Sequence, residues 1–154
     1  PLLLGFASTN FRREIDLRIL LGTGITFQLL DKPHAWLKVA VSTEYEQTTF
    51  GQTTFNRMGY NGSSEINTLR GTFWVNGRYA LFQKQLVFTH EFYIQPSLEQ
   101  ADNFRWQADL ALELPLWKYL NFKVNYLHTF ESIVISNQQQ EDHILTFGLT
   151  LKSY

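Results

Sequence analysis

A period of two runs through nearly the whole chain and constrains its fold more than any other feature. From Ile15 the odd positions are Ile15, Leu17, Ile19, Leu21, Thr23, Ile25, Phe27 and Leu29. Between them lie Asp16, Arg18, Leu20, Gly22, Gly24, Thr26 and Gln28. Successive side chains of a strand point to opposite faces, so this alternation predicts a strand with one apolar and one polar face. The pattern recurs over 37–46, 69–81, 104–116 and 145–152. Runs at Leu86–Leu98 and Phe122–Val134, with a shorter opening run at Leu2–Thr9, bring the count to about eight strands. No segment supports a helix: the most tempting stretch, Asp109–Leu120, spaces its leucines two apart and contains Pro115. Pro33 in a turn and Pro96 at a strand end sit where a sheet tolerates a missing N–H.

The connections alternate in length. Asp31–His34, Gln83–Gln85 and Lys118–Tyr119 read as tight turns, whereas Asn10–Glu14, Thr48–Asn67, Glu99–Asn103 and Ile135–Asp142 read as wider loops. Tight turns at one end and larger loops at the other describe an all-β, antiparallel up-and-down meander, a single domain over residues 1–154. This is the arrangement of transmembrane β-barrels.

Alternation does not say which face looks inward; volume does. The apolar face carries about forty residues, many of them large, and the interior of an eight-stranded barrel is only just wide enough for its own side chains. The opposite face mixes small residues with charges of both signs. Arg18, Lys38, Arg70, Arg78, Arg105 and Lys123 can meet Asp16, Glu44, Glu46, Glu91, Asp109, Glu113 and Glu131. Charges removed from water need partners, so a charged, mostly occluded lumen is expected inside and lipid outside. With 13 Phe, 7 Tyr and 4 Trp, the aromatics suit two interfacial girdles. Phe27, Trp36, Phe82, Trp117, Phe122 and Tyr154 lie near the tight turns; Phe11, Tyr45, Phe92, Phe104, Trp106 and Phe130 lie near the loops. A soluble lipocalin-like carrier, apolar side inward, is the alternative.

Composition removes other classes. A net charge of −1 leaves no long-range attraction for nucleic acid. Zero Cys excludes disulfide scaffolds, thiolate zinc sites and cysteine nucleophiles. No apolar run approaches the ~18 residues of a membrane helix. The chain opens at Pro1 with neither Met nor a signal-peptide pattern, as a mature or trimmed chain would.

The stretches Leu21–Pro33 (LGTGITFQLLDKP), Val41–Gln47 (VSTEYEQ), Ile94–Leu98 (IQPSL), Phe104–Asp109 (FRWQAD) and Val124–Tyr126 (VNY) resemble the YdiY-like, salt-induced outer-membrane protein family, a family of unknown function. The resemblance covers nearly the whole chain. It implies an integral barrel of a Gram-negative outer membrane and more sequence upstream. The eight strands would then be the C-terminal part of a larger barrel, and with added strands a small-solute pore becomes an alternative. The family offers no catalytic residues to carry over. One departure concerns the terminus: Phe147, Leu149 and Leu151 are in phase with the lipid-facing residues, but Ser153 follows and Tyr154 has the opposite parity.

Candidate chemistry is sparse. Glu44 and Glu46 share a face and could act as an acid–base pair, but pairing with Arg70 or Arg78 is the expected role. His128 and Glu131, three apart on a strand, point to opposite faces. The four histidines fall in different elements, so neither a metal nor any other cofactor is expected, nor is enzymatic activity. By parity His90 and His128 join the apolar face, which places them near an interface or in a lateral contact with another protein. The long loop 48–67 is the other candidate partner surface. Gly22-Thr23-Gly24 lacks the helix a nucleotide site needs, and Asn61-Gly62-Ser63 marks only an exposed turn.

Overall fold

In the computed structural model, which describes residues 1–83 and 85–151, the alternating segments form eight antiparallel strands. They are β1 (Leu2–Asn10), β2 (Ile15–Lys32), β3 (Ala35–Phe50), β4 (Glu65–Leu81), β5 (Leu86–Pro96), β6 (Phe104–Trp117), β7 (Leu120–Glu131) and β8 (Glu141–Leu151). Each pairs with its sequence neighbours, in the order β1 to β8. The sheet curls into a half-barrel, and among the described residues β1 and β8 are not hydrogen-bonded to each other. No α-helix occurs there; two 3-10 turns, Phe11–Arg13 and Met58–Tyr60, lie in loops.

Three hairpins close tightly at one end, and loops 11–14, 51–64, 97–103 and 132–140 crowd the other. In the hairpin between β4 and β5, Phe82 and Gln83 have φ of 50° and 56°.

The register fixes the faces. Glu44 stands opposite Arg70 and Ser42 opposite Thr72 on the concave side, while Leu110, Leu112 and Phe147 point outward. Leu110, Leu112 and Phe147 are 39%, 42% and 62% exposed, whereas Glu44, Glu46 and Arg70 are 0%, 1% and 4% exposed. Side-chain burial is inverted relative to a water-soluble fold.

Several local expectations change. A bulge between Ile15 and Leu17 shifts the parity of β2. Ile15 therefore faces inward and is 2% exposed, while Asp16 is left on the surface beside Gly51. Trp36 belongs to the concave face, on the same side as Lys38, instead of the outer girdle. β3 and β4 reach further than expected, which shortens the long loop to 51–64, and β5 stops at Pro96. β7 ends at Glu131, and Ser132–Ile135 leave the sheet. Lys84, Lys152, Ser153 and Tyr154, with the terminal parity of Tyr154, lie outside the described residues.

Leaving the sheet gives that segment its role. Ile133 and Ile135 pack with Ile15, Phe50 and Phe55 in a buried apolar cluster at the loop end. Phe50 and Phe55 meet edge-on at 4.9 Å, and Phe55 forms a β-bridge with Ile135. The loops thereby fold into an apolar layer above the concave face.

Candidate functional site

Beneath that layer lies a sheet of ion pairs. Glu46 of β3 is its hub: Arg70 approaches through Nε at 2.8 Å and Nη2 at 3.1 Å, Arg105 through Nη2 at 2.6 Å, and Arg18 through Nε at 3.8 Å. Glu131, at the end of β7, is the second hub. Arg18 clasps both its oxygens at 2.9 Å, and Arg13 adds a bond at 3.0 Å. Arg13 also reaches Asp142 at 3.0 Å. Further bonds extend the network: Arg70 donates to the Gln95 carbonyl and to Asn103, and Arg105 to the Gln95 side chain, while Nε of Arg13 and Nη1 of Arg105 are buried without a partner. Such mutual pairing is what makes several buried charges tolerable in one place.

Glu44 differs from its neighbour. It takes hydrogen bonds from Ser42 and from Thr72 (2.7 Å), and among the described residues no cation stands within ion-pair distance. Its space comes from two glycines. A Cβ on Gly22 would lie 2.6 Å from Cγ of Glu44, and one on Gly24 2.5 Å from Cβ of Ser42.

The expected charged residues thus divide. Arg18, Glu46, Arg70, Arg105 and Glu131 converge, and Glu44 lies buried alongside. Nearer the tight turns, Glu91 accepts from Asn76 at 2.8 Å and stands opposite Asp109. Glu113 accepts from Asn121 and stands opposite Lys123. Asn76, Glu91, Asp109, Glu113 and Lys123 border a cavity of about 170 Å³. Lys38 lies 5.6 Å over the Trp36 ring, and Arg78 is exposed beside Thr89. Asp16 stands apart, turned out by the bulge.

Arg13 and Asp142 were not legible as members. Arg13 sits outside the strand pattern, in a 3-10 turn whose backbone N–H groups Asn10 caps. The Asn10–Arg13 capping spacing was the available signal. Between the ion pairs and the tight turns opens a hollow of about 790 Å³. Its β1 side is apolar, with Leu2, Leu4 and Phe6, and its opposite wall is polar, with Lys38, Thr72 and Glu91.

The two outward histidines are not brought together. His90 lies over Gly77 and groups with Tyr79 at 5.7 Å and Phe88 at 5.6 Å. His128 instead meets His143 of the next strand. That cross-strand pairing was invisible because register is not written in either strand alone. In the loops, Tyr60 lies 3.2 Å from Asp102; burial and that neighbouring carboxylate push its hydroxyl up to about 12.

No curated protein and no solved structure matches the chain. The family described as "Protein of unknown function, DUF481" matches residues 4–152. This match takes in β2 to β8 and most of β1, and the chain belongs to that family, the YdiY-like outer-membrane β-barrel family.

Proposed function

We propose that this chain is an integral bacterial outer-membrane β-barrel protein without enzymatic activity, serving a structural, assembly or envelope-stress role with its interior closed at the loop end. One observation carries the reading: large apolar side chains cover the convex face while the buried positions hold ion pairs. Hydrocarbon is the solvent in which that inversion is stable, because the outward leucines and phenylalanines lose nothing there and the inward charges neutralise one another. The lipid bilayer is the partner this reading requires. The same inversion weighs against a soluble carrier. Strands of 16–18 residues in β2, β3 and β4 exceed the 9–11 needed to cross a bilayer, so their loop ends would stand beyond it and carry the ion-paired layer.

Fractionation of the bacterium tests this directly. The protein should sediment with the outer membrane, need detergent for extraction and migrate faster unheated than boiled. Recovery in a detergent-free soluble fraction would sink the reading. The hollow of about 790 Å³ favours a second one, passage of small solutes. Planar-bilayer recordings separate the two: a closed interior leaves the bilayer silent, and a pore gives discrete steps.

A further inference from the structure

On the convex face near the loop end, β7 and β8 gather three side chains with the chemistry of a metal site. His128 and His143 stand directly opposite each other in the ladder, their ring centroids 3.9 Å apart. Glu141 lies two residues before His143, so it shares that face. Its Oε2 is 3.7 Å from Nε2 of His128 and 3.5 Å from Nε2 of His143. The three groups offer ligand atoms that all lie within 4.8 Å of one another. Ligands held about 2.0–2.2 Å from a tetrahedral zinc are separated by roughly 3.3–3.6 Å, close to the spacing already present.

Two further observations point to a ligand. Nε2 of His128 is buried and has no hydrogen-bond partner, and a buried orphan nitrogen is uncommon enough to need a reason. The hydroxyl of Tyr126 lies 2.8 Å from Nδ1 of His143. With that hydroxyl accepting from Nδ1–H, the Nε2 lone pair of His143 is left facing Glu141, the outer-sphere arrangement that orients ligating imidazoles. Trp106 packs edge-on against His128 at 4.4 Å and holds its ring in place.

We propose that His128, Glu141 and His143 bind one divalent transition-metal ion of the zinc class. Imidazole nitrogens with a single carboxylate suit zinc, copper or nickel better than magnesium or calcium, which prefer all-oxygen shells. The side chains of Glu141 and His143 are 55% and 52% exposed, which leaves a fourth coordination position open on the outward side. A bound ion would clip β8 to β7 at the base of loop 132–140.

The test uses the full chain, refolded in detergent micelles and stripped with a chelator, then titrated with Zn²⁺ by calorimetry and with Co²⁺ by visible absorption. One ion per chain and an intense tetrahedral-type cobalt spectrum are expected. His128→Ala and His143→Ala should each weaken binding at least about 100-fold, and Tyr126→Phe about 10-fold. His34→Ala, in a tight turn at the far end, should change nothing. No saturable binding by the unmodified chain overturns the proposal, as does undiminished affinity in His128→Ala. If His128→Ala does not fold, Glu141→Ala at the exposed start of β8 replaces it, and undiminished affinity there overturns the proposal equally.

Discussion

Arg18 of β2 clasps Glu131 of β7 through two parallel bonds of 2.9 Å, although the residues are 113 apart and their strands are not neighbours in the sheet. The pair spans the concave side of the half-barrel and ties its two halves together where the backbone ladder does not. A bidentate guanidinium–carboxylate geometry adds direction as well as attraction. The curl of the sheet is therefore held by side chains at the loop end.

Breaking that pair on one side should be costly. Glu131→Gln leaves Arg13 and Arg18 sharing a neutral acceptor in a buried place, so unfolding in urea should lose about 3–5 kcal/mol. Arg18→Met alone should cost a similar amount. The double variant should lose clearly less than the sum, because the surviving charge is no longer stranded. Strict additivity would show that the two groups do not act as a pair.

Gly22 and Gly148 share the concave face but not its crowding. A Cβ on Gly22 would collide with the Thr43 carbonyl, whereas nothing lies within 4 Å of one on Gly148. Gly22→Ala should destabilise by about 1–3 kcal/mol through overpacking. Gly148→Ala should stay within about 0.5 kcal/mol of the parent. Equal melting temperatures for the two variants would contradict the close approach of β2 to Glu44.

An arginine on the convex face is the sharpest probe of what surrounds it. Leu110→Arg, at the middle of β6, should cost about 2–4 kcal/mol in a bilayer and lower the folded yield in vesicles. In a protein whose convex face met water, the same change would be neutral or would improve solubility. Urea titration in phospholipid vesicles reads the difference.

The apolar layer should be separable from the sheet. Phe55 is 4% exposed among Phe50, Ile133 and Ile135. Phe55→Ala should remove about 3–5 kcal/mol of packing. Limited proteolysis should then cut within 51–64 while the strands stay protected. Cleavage that begins in the strands would mean the layer and the sheet unfold as one unit.

Tyr60 supplies a pH signature outside the strands. Its hydroxyl is held up to about 12 by burial and by Asp102, above the ordinary value near 10. A raised value favours the neutral form in the folded chain. Its stabilisation is present below about 10 and fades as the pH rises towards 12. Ultraviolet difference titration against Tyr60→Phe should show one tyrosine ionising late, and a normal titration would refute the contact.

Much of the architecture was written in single strands. Alternation needs only the two-residue repeat of an extended backbone, so the eight strands, their up-and-down order and the greasy outer stripe from Leu21 to Leu151 followed from residue order alone. The opposite stripe, with Arg18, Glu46, Arg70, Arg105 and Glu131, was legible for the same reason. Relations between strands were not. One bulge at Ile15/Leu17 turned Asp16 out and Ile15 in, and no local pattern announces a bulge. Arg13 and Asp142 joined the ion pairs from a turn and a strand end, because only the folded loops bring them within 3.0 Å. His128 and His143 met because β7 and β8 chose one register. Periodicity is a property of a single strand, whereas register and loop packing arise when distant strands compete for the same hydrogen bonds and the same buried volume; only the tertiary structure decides them.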